Sequence, residues 1–367
     1  LSERLSRGWR GRRLYAGLAI IFALSVVSLA RTKPDPGISE ARAIAVTARP
    51  ITAFDSAHPE VTRFGKLLFR GGLVLTSSSG AFGGWSALAL DAEGRRLLSI
   101  SDSGVWLTGE LTYANGRPSG VKDARLGPLT GFDGNPLTGF RERDSEGFAL
   151  VSGTLAKGEG LVSFEGDHRV LRYPVSEAGI GPPIEQLTLP PAVKRLGSNK
   201  SLESVCQLKA GADSGAIVTL AERYPSPPPD HVGWLRRADG RWRALAIENI
   251  GDFYLTDCHG LDDGSMLVLE RRYRFFDGVR MRLRRFSAEE IAAGGTMAGE
   301  TLIEASKEQE IDNMEGLAVH READGTLVVT MISDDNFNSL VQRTVLLQFA
   351  WPQETMRPVG EGIAAGR

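Results

Sequence analysis

The chain has 367 residues, 42% of them hydrophobic and 24% charged, with a formal net charge of −2. This is the composition of a soluble globular protein, long enough for one large domain or two ordinary ones. It excludes recognition of nucleic acid by bulk electrostatics.

In chain order, Arg4, Arg7, Arg10, Arg12 and Arg13 come first, ahead of an unbroken apolar stretch over residues 14–30. A basic segment before an apolar one is an export signal or a membrane anchor. The stretch is at the short limit for a spanning helix, and Ser28-Leu29-Ala30 offers small residues for cleavage. Residues 1–31 therefore read as a signal peptide or an N-terminal anchor. In either case the basic side stays cytoplasmic and the remainder is exported, periplasmic or extracellular. Residues 32–60 read as a linker and lead-in, 61–352 as the folded domain and 353–367 as a tail.

Glycine is abundant, at 43 residues, and helical periodicity is scarce, which favours many short strands joined by turns. Residues 66–76 form an early strand. One unit then recurs five times: an apolar run, a turn, and a second apolar run that closes on a carboxylate. The closings are Ile100-Ser101-Asp102, Ser163-Phe164-Glu165, Leu220-Ala221-Glu222, Val268-Leu269-Glu270 and Ile332-Ser333-Asp334. The units open on Ser86, Glu146, Glu203, Thr256 and Glu315, spaced by 60, 57, 53 and 59 residues. Turns such as Leu261-Asp262-Asp263-Gly264 and Glu322-Ala323-Asp324-Gly325 join the two runs, with glycine free to take positive φ. Repeated units of this size, with about four strands each, predict an all-β β-propeller. Five inner hairpins are visible, and residues 43–54 and 113–141 leave room for a sixth blade. The last unit runs out after three strands, so residues 66–76 supply its fourth and close the ring by pairing N- and C-terminal strands.

The ring gives the acids a shared destination. In a hairpin, the start of strand one and the end of strand two lie at the same end. Glu146 should meet Glu165, Glu203 should meet Glu222, and Glu315 should meet Asp334, all at one mouth of the central channel. Crowded carboxylates need a hard cation, arginine partners or protons. Oxygen donors are also present in Asp144, Asp312-Asn313 and Asp334-Asp335-Asn336, and arginines at Arg143, Arg169, Arg223, Arg271 and Arg272. Asp102 and Glu270, whose units open on Ser86 and Thr256, read as latches between blades. His168 and His259 could approach the mouth, whereas Trp85, Trp106, Phe148 and Tyr273 read as blade packing. Cys206 and Cys258 lie at similar depth in neighbouring units; a disulfide and two buried thiols both fit.

The same residues carry a family resemblance. Phe82-Gly83-Gly84-Trp85-Ser86-Ala87-Leu88, Ser101-Asp102-Ser103-Gly104, Asp144-Ser145-Glu146-Gly147 and Ser163-Phe164-Glu165 come first. Leu269-Glu270-Arg271-Arg272, Asp312-Asn313-Met314-Glu315-Gly316-Leu317-Ala318 and Ser333-Asp334-Asp335-Asn336-Phe337 follow. In this order, over residues 64–349, the chain resembles the bacterial phytase-like proteins described as "esterase-like activity of phytase". The resemblance implies an exported propeller that hydrolyses a phosphate or other ester. One departure is Asn199-Lys200-Ser201-Leu202-Glu203, where the family pattern is Asn-Gly-Gly-Leu-Glu. A bulky cation there would narrow a site that needs close ligand approach.

The expected roles follow. Glu146, Glu203 and Glu315 are the catalytic candidates. Asp144, Glu165, Glu222, Asp312, Asp334 and Asp335 are the candidate ligands of Ca²⁺. Arg223, Arg271, Arg272 and His259 are the candidate contacts to a small anionic or ester substrate. No nucleic-acid partner is expected, and the membrane is met only through the N-terminal segment. The competing expectation is a non-catalytic propeller that binds a ligand or partner at the same mouth.

Overall fold

The computed structural model describes residues 36–196, 202–222 and 230–352. They form a five-bladed β-propeller. The innermost strands, in ring order, are Trp85–Leu90, Ser145–Thr154, Leu202–Gln207, Tyr254–Gly260 and Asn313–Arg321, and each packs beside the next. Among the described residues the ring closes with the expected five blades, and the segments that left room for a sixth belong to the first and fifth. Thr47–Ile51 adds to the outer edge of the fifth blade, and Val105–Ala114 with Arg117–Pro128 are the outer strands of the first.

Closure follows from the shortage of strands in the last unit. Asn313–Arg321, Leu327–Asp334 and Thr344–Trp351 leave one edge open, and Leu67–Thr76 pairs antiparallel along Thr344–Trp351 to complete the blade. Phe54, Phe64, Phe69 and Phe349 stack behind this seam, with ring centroids 4.8 to 5.4 Å apart. The first and last parts of the domain are thus held by one sheet and one aromatic cluster.

Blade faces explain the apolar runs. A strand inside a propeller meets a neighbouring blade on each face, so alternation fades and runs such as Met266-Leu267-Val268-Leu269 are fully buried. The core divides accordingly. Leu202, Val205 and Ile217 of the third blade pack on Ala149 and Leu161 of the second. Leu317, Val329 and Phe349 of the fifth pack on Leu267, Leu269 and Leu283 of the fourth. Turns at the outer end need glycine where blades touch: Gly94 has φ of 67°, and a Cβ there would lie 2.3 Å from His320 Nε2. Cys206 and Cys258 are joined in a disulfide that ties the inner strands of the third and fourth blades.

One irregularity recurs in every blade. The pairing of strand one with strand two slips by one residue at Ser86, Glu146, Glu203, Thr256 and Glu315. These are the five positions that open the sequence units, so the repeat is a repeated β-bulge. A bulge leaves one residue outside the ladder and re-aims its side chain.

Candidate metal centre at the channel mouth

The bulged residues and the ends of the second strands share one end of the ring. Opposite the bulges, the ladder runs Ser101, Phe164, Ala221, Glu270 and Ser333. The next residues are therefore equivalent: Asp102, Glu165, Glu222, Arg271 and Asp334. Four are acids and one is a cation. The expected acid of the fourth unit, Glu270, sits one residue too early.

A shift of one residue turns a strand side chain to the opposite face. Glu270 consequently points away from the mouth and is fully buried. It accepts 2.6 and 2.7 Å hydrogen bonds from Arg282 Nε and Arg284 Nε. Those guanidiniums also donate to the carbonyls of Ile250, Glu248 and Ala298. Glu270 thus pairs within its own blade, and its arginine partners carry the contact on to the connection from the third blade.

At the mouth the carboxylates gather into two linked groups. Asp144, Glu146 and Glu165 each offer an oxygen within 4.8 Å of the others, and so do Glu165, Glu203 and Glu222. Glu165 belongs to both. Asp144, Glu146, Glu203 and Glu222 are buried. Burial pushes Glu203 well above the usual carboxylate range, and Glu165, Glu222, Glu146 and Glu315 push it the same way.

A third group lies beside these. Asn313 Nδ2 donates to Glu315 Oε1 at 2.7 Å and reaches Asp334 Oδ2 at 3.4 Å. Asp334 is raised by burial first, then by the charges of Glu315 and Asp102. Arg271 bridges the set, with Nε 2.9 Å from Glu315 Oε1 and an Nη 3.6 Å from Glu222 Oε1. Burial works against its charge, yet Glu315, Glu222, Glu203 and Asp334 raise the guanidinium pKa. Ser86, in the first bulge, is buried, and its Oγ makes no hydrogen bond among the described residues.

Other expected site residues do not join. Asp335 accepts from Gly84 N, Phe337 N and Thr344 Oγ1, each at 3.1 Å, and so latches the fifth blade to the Gly83-Gly84 loop of the first. That loop is tight: a Cβ on Gly84 would lie 2.3 Å from Asp102 Oδ1. Asp312 accepts from Asn313 N and Arg343 N, both at 3.0 Å. Both carboxylates are occupied by the fold. Arg272, one residue beyond Arg271, faces away, donates to Gly251 O at 2.7 Å and lies over the Phe253 ring. His259 sits three residues past the bulge towards the Leu261–Gly264 turn, its pKa lowered to about 3 by burial and by Lys209. Arg169 pairs with Asp167 at 3.1 Å. Arg223 and the Asn199-Lys200-Ser201 departure lie outside the described residues. Trp85, Trp106 and Phe148 are packed inside, but Tyr273 is exposed.

The donor set fits a hard divalent cation. Ca²⁺ takes oxygens at about 2.3–2.6 Å, so two ligands of one ion lie at most about 5 Å apart. The spacing of both carboxylate groups meets that limit. Crowded, buried carboxylates are also the arrangement that a cation relieves.

Comparison with curated proteins gave no significant match. The family described as phytase-like, "esterase-like activity of phytase", matches residues 80–337. That span runs from the Gly83-Gly84 loop through all five bulges to Asp334 and Asp335, and the chain belongs to the phytase-like family.

Proposed function

We propose that the protein is an exported hydrolase of phosphate or other esters, assisted by Ca²⁺ at the channel mouth. The family points to hydrolysis in general. The observation that carries the finer reading is the pair of carboxylate groups sharing Glu165, beside a guanidinium held among acids. Asp144, Glu146 and Glu165 would hold one cation, and Glu165, Glu203 and Glu222 a second. When bound, such a cation supplies Lewis-acid stabilisation of charge developing on the ester oxygens. Without a cation, burial and like charges favour the proton on Glu203, so binding of the second cation would displace that proton. Arg271 anchors the anionic group of the substrate, which competes for it with Glu222 and Glu315. Glu315 and Asn313 hold Arg271 and Asp334 in position. The Cys206–Cys258 disulfide supports an oxidising compartment outside the cytoplasm.

A second reading is favoured by the depth of the acids. Glu146, Glu203, Glu222 and Glu315 are each under 10% exposed, which suits a propeller that binds an ion or ligand without turnover. Assay of the purified protein against phytate and aryl esters, with Ca²⁺ and with chelator, separates the two. Turnover that requires Ca²⁺ and is lost in Glu203→Gln is expected. Calcium binding with no turnover on either substrate class would establish the second reading.

A further inference from the structure

The mouth end of the propeller carries an exposed apolar rim. In the fourth blade, Met266–Arg274 and Gly278–Phe286 continue past Arg271 as a projecting hairpin. At its tip Phe275 is 76% and Phe276 88% exposed, edge to face with centroids 5.1 Å apart, next to Tyr273 at 62%. The corresponding loop of the fifth blade exposes Leu340 and Val341, at 94% and 74%. Ile250, on the connection into the fourth blade, is also exposed. Side chains of this size gathered on one end of a fold mark a contact surface.

The chain enters the fold at this same end. Arg42 and Ala43 pair with Leu126 and Arg125, in a register that runs the preceding residues towards Pro128 and the mouth. Arg42 also meets Ser79 of the loop leading to the Gly83-Gly84 turn. Residues 31–37 separate the apolar stretch of residues 14–30 from Ile38, the first buried side chain. Seven residues reach at most about 25 Å when fully extended. The described fold is therefore joined to the preceding sequence on the mouth side, where the rim lies.

We infer that the mouth end docks on a lipid bilayer, with the Phe275–Phe276 tip seated in the interfacial region. Phe275 and Phe276 supply apolar surface for insertion, and the neighbouring Tyr273 an amphipathic ring suited to that depth. The charge pattern favours apolar contact over attraction to anionic headgroups. Arg274 is paired with Asp252 at 2.7 Å and Arg272 with Asp277 at 3.9 Å. The mouth behind them is acidic and disfavours an anionic surface. This extends the membrane contact beyond the N-terminal segment, and it does not depend on catalysis.

The test uses the full chain with a polarity-sensitive fluorophore on Asp277→Cys, at the tip, or on Ala323→Cys, in an exposed turn at the opposite end. Each is mixed with zwitterionic phosphatidylcholine vesicles, with and without brominated acyl chains, at low and high salt. The expected result is a blue shift and bromine quenching at position 277 alone, insensitive to salt, and lost when Phe275→Ser and Phe276→Ser are added. A label at 277 that stays water-exposed with vesicles overturns the proposal. Equal quenching at 277 and 323 overturns the orientation on which it rests. Shielding at 277 that rises with protein concentration and needs no vesicles assigns the rim to a second copy of the chain and overturns it as well.

Discussion

Two glutamates of this fold make opposite demands on stability, and their substitution should separate them. Glu203 stands among carboxylates, with burial and four like charges disfavouring its ionised form. Glu270 stands between Arg282 and Arg284 with no exposed surface. Glu270→Gln leaves two buried guanidiniums short of a counter-charge and should cost about 3–5 kcal/mol, as breaking a buried ion pair does. Glu203→Gln in chelator removes the cost of burying this acid among like charges and should raise stability by about 1 kcal/mol, while losing the share of the Ca²⁺-conferred stability that comes from the second group. Urea melts of both variants with and without Ca²⁺ check the signs. Destabilisation of Glu203→Gln in chelator would mean that the group is satisfied without a cation. In sequence Glu270 looks like Glu165 and Glu222, because each ends an apolar run. What distinguishes them is the ladder: Leu255 pairs with Glu270, whereas the equivalent residue in the fifth blade pairs with Ser333. A run ending cannot show that slip, but the Arg271 that follows Glu270 could have signalled it, since the acids of the other four blades leave one place for a cation.

At the level of elements, the bulges were legible and their meaning was not. The spacing of Ser86, Glu146, Glu203, Thr256 and Glu315 marked one equivalent position per unit, because each inner hairpin starts at the same place in its blade. That the position is an inserted residue is a property of pairing, which periodicity does not encode. Asp312 and Asp335 illustrate the same limit. They carry the right chemistry for a ligand, but backbone amides consume it: Asn313 and Phe337 from the same loops, and Arg343 and Gly84 from distant segments. The disulfide gives this scale its own test. Cys206 and Cys258 are 52 residues apart, and the loop they close contains the outer strands of the third blade. Chain entropy assigns such a loop about 4 kcal/mol. Thermal melts with and without a phosphine reductant should show a large loss in the wild-type chain. The Cys206→Ala, Cys258→Ala double variant should already be at the lower midpoint and respond to no reductant. Equal midpoints for all would show that blade packing alone orders this seam.

For the whole molecule, the ring turns separate acids into one titrating system, and its pH response follows from signs. Glu203 and Asp334 have folded pKa values raised above their unfolded ones. Asp257, which accepts from Leu317 N and Cys258 N between the fourth and fifth blades, is raised by burial as well. A raised carboxylate means that the folded state holds a proton after the unfolded chain has released it. Stability from these groups is therefore present in acid and is lost as pH rises from about 4 through the folded pKa. The buried histidines act oppositely. His231 and His259 have pKa values lowered to about 4 and about 3, by burial before any charge, so each loses stability as pH falls below about 6.5. A single melting profile mixes the two. The difference between profiles with Ca²⁺ and with chelator cancels Asp257 and His259, which belong to neither carboxylate group, and retains the mouth carboxylates together with His231, which is hydrogen-bonded to the Glu222 backbone. That difference should be small near pH 4, where protons already neutralise the acids. It should grow towards pH 8, where only a cation can. A Ca²⁺-induced shift in midpoint that is flat across this range would place the ion elsewhere. A shift that grows with pH in the wild type and flattens in Glu165→Gln, which removes the carboxylate common to both groups, ties the response to the mouth.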